Sequence, residues 1–318
     1  MTHAGHSHAG HDHGHAHGHA HGHSHAPASY NGAFAIGISL NVAFIIVEVV
    51  YGLRASSLAL VADAGHNLSD VLGLGLAWVA AVLATRQPTR RHTYGLRRSS
   101  ILAALGNSIF LLVTIGAIAW EAIGRLRSPD VVATGTVIWV AALGIVINTA
   151  TALFFMSGRK GDLNIRGAFL HMIGDAAVSA GVVVAAIVMA ATGWLWLDPA
   201  MSLVIVALIT VATWGLLTES LHLALDAVPV SVNAHAVEEY LRTLPGVAEV
   251  HDLHIWGMST TEVALTAHLV KPVLDDDDQL LLEACKELSD HHGIRHSTFQ
   301  IERGHGPHAC ELARADVV

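Results

Sequence analysis

Gly167-Ala-Phe-Leu-His171-Met-Ile-Gly-Asp175 interrupts a long apolar run with a histidine four residues ahead of an aspartate. An earlier stretch, Asp63-Ala-Gly-His66-Asn-Leu-Ser-Asp70, repeats that spacing. On a helix, side chains four apart stack on one face. Both pairs fall in stretches apolar enough to cross a bilayer, where an ionisable side chain is costly and marks function. Gly167 and Gly174 are expected to let a neighbouring helix approach closely. One such pair reads as well as polar glue between helices. Two identical pairs amount to four nitrogen and oxygen ligands, enough for a tetrahedral divalent metal such as zinc.

The surrounding chain decides the setting. Of its 318 residues 53% are hydrophobic and 14% charged, against about 25% charged in ordinary soluble domains. Six apolar segments, at 32–52, 58–84, 99–122, 131–156, 164–191 and 198–222, each reach the roughly 20 residues that a spanning helix needs. From Asp226 onward the periodicity changes to helix (231–244), strands (247–256 and 262–270), helix (274–292) and a short strand (298–301). The expected fold is therefore an α-helical membrane protein, six transmembrane helices followed by a small cytoplasmic α/β domain ordered α-β-β-α-β. Its parts are a disordered His-rich tail (1–29), the membrane domain (30–222), the α/β domain (223–303) and a flexible C-terminal tail (304–318). Asp198-Pro199 has the form of an N-cap followed by proline in the first turn of the sixth helix.

Charge gives orientation and excludes some partners. The loops after the second and fourth segments hold Arg86, Arg90, Arg91, Arg97, Arg98, Arg159, Lys160 and Arg166, while the alternate loops hold Arg54, Arg125 and Arg127. That bias places the first set, and with it both termini, in the cytoplasm. The net charge of −9 arises after residue 222, where 16 of the 26 acidic but only 6 of the 17 basic residues lie. Such a balance argues against nucleic acid and suits cations. Two cysteines, Cys285 and Cys310, without a Cys-x-x-Cys, argue against a disulfide framework or thiolate finger. No cleaved signal peptide is expected, so insertion would use the first membrane helix.

Residues 3–25 carry eleven histidines among Gly, Ala and Ser. A tract of this composition has no apolar face to bury and can gather metal loosely; a dispensable tail is the plainer alternative.

Ligand chemistry points to a mechanism. Two aspartates and two neutral imidazoles offer a charge of −2, which one divalent cation neutralises. Zn²⁺ suits this set, and Co²⁺, Cd²⁺ or Fe²⁺ would be accepted. Histidine titrates near neutral pH, so protons can displace the metal, which is the chemistry of antiport. Asp63, one turn before His66, is a candidate relay or outer-shell acceptor. Asn41 and Glu48 share a face of the first helix and either line the pathway or bond between helices.

These residues give the chain its resemblance to the cation diffusion facilitators that transport zinc. Besides the paired motifs, the resemblance rests on Tyr94-Gly95 among arginines, Asp198-Pro199, and His251-Asp-Leu-His254-Ile-Trp256, and it covers residues 30–303. It implies a homodimeric zinc/proton antiporter of the plasma (inner) membrane, with the transport site on His66, Asp70, His171 and Asp175. It also implies a metallochaperone-like cytoplasmic domain that binds regulatory zinc, through His251, His268 and either His296 or Glu302. His92 corresponds to a further loop site in some members, although a lone histidine among arginines reads more simply as a solvated group.

His251 and His254 are three apart in a strand and should face opposite ways, so only one of them is expected to join His268. His305, His308 and Cys310 are a weaker possible metal group in the tail. No enzymatic cofactor is expected. An intramembrane zinc hydrolase would need an open ligand position and a general base, and the sequence has no His-Glu-x-x-His and no glutamate within either paired motif. A metal sensor without transport is the remaining rival.

Overall fold

The computed structural model describes residues 32–156, 163–273, 277–304, Cys310 and Leu312. The His-rich tail, the Arg159–Lys160 pair, Asp275, Asp276, His305 and His308 lie outside the described residues. Among the described residues the chain forms six long helices, α1 (Gly32–Arg54), α2 (Leu58–Ala84), α3 (Ser99–Arg127), α4 (Thr134–Phe155), α5 (Leu163–Thr192) and α6 (Leu197–Ala224). Within α2 to α6 five stretches are long and apolar enough to cross a membrane. The 23 residues of α1 also reach the needed length. Large apolar side chains such as Trp120, Trp139, Val113 and Val211 face outward, as expected where lipid is the solvent.

The bundle core is built from Phe44, Leu60, Leu111, Ile115, Val137, Val182, Ile205 and Ile209. Helix α4 packs chiefly on α5, and α3 on both α6 and α2, while α2 and α5 meet only sparsely. The two glycines expected to admit a neighbour do not: the space where a Cβ would point is open at Gly167 and Gly174. Close approach falls instead at Gly144, where a Cβ would come within 2.7 Å of the Phe44 ring and 3.1 Å of Ser179 Oγ.

Asp198 also differs from expectation. Helix α6 begins at Leu197, so Asp198 lies inside its first turn, and its carboxylate caps a different helix. Asp198 Oδ1 accepts from Ser57 Oγ at 2.5 Å and Oδ2 from Leu58 N at 2.8 Å. The orphan amides at the start of α2 are thereby satisfied from α6 and from its own Ser57.

After the bundle come α7 (Ala234–Thr243), β1 (Glu249–Gly257), β2 (Val263–Val270), α8 (Asp277–His291) and β3 (Ile294–Glu302), in the order read from the sequence. The sheet runs β1-β2-β3, antiparallel between the first pair and parallel between the second. The amphipathic helices supply Val237, Leu241, Leu280, Ala284 and Leu288 to a core shared with Leu265, Leu269 and Ile294. The last strand starts four residues earlier than its apolar pattern predicts, because parallel pairing to β2 recruits the polar run Arg295–Ser297.

Beside this core Lys271 is buried, and Asp277 Oδ1 accepts from its ammonium at 2.8 Å. The loop after α2 reaches the domain through Arg97–Glu262 (2.6 Å), and Ser100 Oγ accepts from Thr260 N at 3.1 Å.

Candidate metal sites

The quartet assembles from two helices. Position i to i+4 spacing aligns His66 with Asp70 on α2 and His171 with Asp175 on α5, and the two helices bring the pairs face to face. His171 Nε2 lies 3.0 Å from Asp70 Oδ2 and 3.6 Å from Asp175 Oδ2. His66 Nε2 lies 3.5 Å from Asp175 Oδ1 and 3.6 Å from Asp70 Oδ2. The imidazole rings meet edge to face with centroids 5.6 Å apart.

A tetrahedral zinc with bonds of about 2.0 Å holds its ligand atoms about 3.3 Å apart, and the four nitrogen–oxygen separations bracket that value. His66 Nδ1 and Asp175 Oδ2 are buried without a hydrogen-bond partner. Buried polar atoms are rarely left so, and Asp175 Oδ2 keeps an acceptor free toward the quartet, whereas His66 Nδ1 lies on the ring edge away from the nitrogen that faces the carboxylates. Asp175 is nearly sealed, whereas His171 and Asp70 are more than a third exposed. The site therefore has a closed side and an open side.

Two further carboxyls are buried nearby. Glu48 Oε2 accepts from Asn67 Nδ2 at 3.0 Å, and Asp63 Oδ2 accepts from Ser179 Oγ at 3.1 Å. Neither residue is one of the four side chains of the quartet.

A second cluster lies on the sheet. His251, His268, Glu302 and Cys310 bring one ligand atom each within 4.8 Å of one another. His268 Nδ1 is 3.0 Å from Glu302 Oε1 and 3.6 Å from Cys310 Sγ, and His251 Nε2 is 3.5 Å from Glu302 Oε2. Antiparallel register sets His251 opposite His268, and parallel register carries β3 past β2 so that Glu302 reaches them. Neither ring nitrogen of the buried His251 has a hydrogen-bond partner.

Burial works to raise the Glu302 pKa, but hydrogen bonds with Gln300 and Cys310 and the two nearby imidazoles hold it below the ordinary value. For Cys310 a backbone hydrogen bond from Leu312 works downward, yet burial and the Glu302 and Asp252 charges push the thiol above its usual range. Two imidazoles, a carboxylate and a thiol form a donor set fit for a soft-to-borderline divalent metal.

The sequence reading of this cluster needs three corrections. His296 stays out: six residues before Glu302 on β3, its ring packs against Tyr94 of the loop after α2, with centroids 5.6 Å apart. Cys310 enters the cluster, and His305 and His308 lie outside the described residues. The two β1 histidines do share a face. A β-bulge with Asp252 at φ 48° inserts an extra residue, so His251 pairs with His268 and His254 with Thr266, two apart on β2. His254 nonetheless stays outside the four ligands, bonded to Asp252 at 2.8 Å. His92 sits in the exposed loop, where its backbone N donates to Thr89 Oγ, and joins neither group.

Comparison with known proteins decides the family. Residues 34–223 match the cation efflux transmembrane domain, and residues 229–304 match the cation efflux protein cytoplasmic domain. The chain belongs to the cation efflux family. It is a multi-pass integral membrane transporter, not an enzyme.

Similar relatives include the metal cation efflux system protein CzcD of Cupriavidus metallidurans, 36% identical over 98% of this chain and 93% of that protein. The zinc transporter ZitB of Escherichia coli is 38% identical over 88% of this chain and 89% of its own. A cadmium, cobalt and zinc/H(+)-K(+) antiporter of Bacillus subtilis is 34% identical over 81% and 85%. Two groups of side chains could hold a metal ion: His66, His171 and Asp175 in the matched transmembrane domain, and His251, His268 and Glu302 of the matched cytoplasmic domain with Cys310 just beyond it.

Proposed function

We propose that this chain exports Zn²⁺ from the cytoplasm in exchange for protons, by alternating access through His66, Asp70, His171 and Asp175. The observation that carries the reading is the quartet itself, with nitrogen–oxygen separations of 3.0 to 3.6 Å across two helices that otherwise touch sparsely. Zn²⁺ is the favoured substrate because two imidazoles and two carboxylates match its chemistry; Cd²⁺, Co²⁺ and Fe²⁺ are competitors. The names of the relatives support zinc, cadmium and cobalt as substrates and exchange for protons.

Loading neutralises the two carboxylates, and protonation of imidazole and carboxylate on the far side frees the metal. All six long helices span the inner membrane in this reading, with both termini cytoplasmic, and two copies form a homodimer. His251, His268, Glu302 and Cys310 would hold a regulatory zinc, which supplies a cross-link between the sheet and the tail.

The test is zinc flux into proteoliposomes with and without a pH gradient. His66→Ala and Asp175→Ala should each abolish flux while the protein still folds. Retained flux in both variants overturns the site, and flux indifferent to the gradient removes the antiport.

A further inference from the structure

We propose that Glu48 and Asp63 form a proton-binding site of their own, separate from the metal quartet and one helical turn outward of it in the orientation above. The inference rests on the transport reading for its role, but the site stands on its own geometry. Glu48 of α1 and Asp63 of α2 are buried to 0% and 1% relative exposure. Each receives a hydrogen bond from a neutral group, Asn67 on α2 for Glu48 and Ser179 on α5 for Asp63. Glu48 Oε1 and Asp63 Oδ1 are left without a donor.

Asp63 lies one turn before Asn67 on α2, so the amide that donates to Glu48 sets both buried carboxyls along one face of that helix. Carboxylates only accept, so buried oxygens that no donor reaches are best accommodated when a carboxyl carries a proton. Two unpaired negative charges in a low-dielectric interior are also far more costly than one carboxyl and one carboxylate sharing a proton.

The charged groups facing the pair are Asp175 from α5 and His66 from α2. On α4, Gly144 lies against Ser179 and brings no charge.

This placement couples the proton to the metal. A divalent cation on His66 and Asp175 repels the proton, so on loading the O–H bond breaks and the proton leaves to water. When the metal departs, hydronium from the outer side restores that O–H bond and releases water. One proton of the exchange is then carried by residues that never touch the metal. Asn67 is the neighbour of His66 in sequence and Ser179 lies one turn beyond Asp175, so rearrangement of either helix alters the donors to the pair.

The full chain, reconstituted with a zinc dye and a pH dye, tests this through Glu48→Gln and Asp63→Asn. Each should bind Zn²⁺ within about threefold of the native affinity, while protons exchanged per zinc fall by about one. An unchanged ratio in a variant that still transports overturns the proposal. So does a tenfold or greater loss of zinc affinity in both variants, which would make the pair part of the metal site.

Infrared difference spectra of the native chain, zinc-bound minus zinc-free, give a readout independent of any variant's folding. The loss of a protonated-carboxyl C=O stretch on loading is expected, and its absence overturns the proposal. A native chain that moves no zinc at all would instead sink the transport reading, and the infrared result would still decide whether the pair holds a proton.

Discussion

The intramembrane quartet and the cluster on the cytoplasmic sheet use overlapping chemistry on opposite kinds of scaffold. The quartet hangs on two helices with few contacts between them, so its ligands can part without breaking a packed interface. The other cluster spans three hydrogen-bonded strands and a residue of the tail, where register fixes the separations of His251, His268 and Glu302. A transported ion needs ligands that can let go, and a resident one needs ligands that cannot. The ligand types follow the same division. In the proposed reading histidine and carboxylate would exchange metal for protons near neutral pH, while Cys310, deprotonated on binding metal, would hold a zinc more firmly.

Removing one ligand from each cluster should give the largest contrast. His171→Ala is expected to lower zinc flux by more than about 100-fold. Cys310→Ser should leave the maximal flux within about twofold and shift only the zinc concentration at which flux rises. Proteoliposome flux over a range of cytoplasmic-side zinc reads both. Equal losses in the two variants would break the distinction.

Next in size is stabilisation by metal. Zinc at about 100 times its Kd for the cluster on the sheet should stabilise the cytoplasmic domain by about 2.7 kcal/mol. That increment should vanish in His251→Ala and on chelation, as read by thermal unfolding of the full chain followed through a probe on the domain. If His251→Ala keeps it, the cluster is not the resident site.

A third measurement separates buried carboxylates that hold metal from one that holds helices. Asp198 lies in the same bundle, yet both of its oxygens are satisfied by Ser57 and Leu58. Asp198→Asn is expected to cost about 1–2 kcal/mol of stability while zinc affinity at the quartet stays native, checked by denaturation and by zinc competition.

The smallest effect concerns acid. Hydrogen bonds from Lys271 and Arg303 hold the Asp277 carboxyl below its ordinary value. A depressed carboxylate contributes stability that is present above its unfolded pKa and lost as pH falls through the folded one. Domain stability should therefore decline as pH drops below about 4, the unfolded aspartate value. Asp277→Asn should flatten that decline, leaving the buried Lys271 with one ion-pair partner fewer. Melting curves across pH would show it.

How much was legible in the sequence follows from the same contrast. His66 and Asp70, like His171 and Asp175, are set together by helical period alone, which is local and needs no knowledge of the fold. The apolar lengths, the order of the α/β elements and the family resemblance are also properties of the chain read in line. The cluster on the sheet depends on things that are not local. The parity argument for His251 and His254 failed because a bulge at Asp252 adds a residue that no composition rule marks. His296 was a reasonable candidate until parallel register carried Glu302 to the histidines and left His296 beside Tyr94.

Asp198-Pro199 does open its own helix, within one residue, but the bundle uses that carboxylate to cap another. The sequence alone settled which residues are ionisable in an apolar setting and which of them share a helical face. Only the tertiary structure decided which oxygen atoms remain unpartnered, that Glu48 is buried against Asn67, one turn from Asp63, and that Cys310 joins the second cluster. The physical reason is range: helical spacing acts over four residues, while strand register, caps between helices and buried carboxyl pairs arise only when distant segments pack.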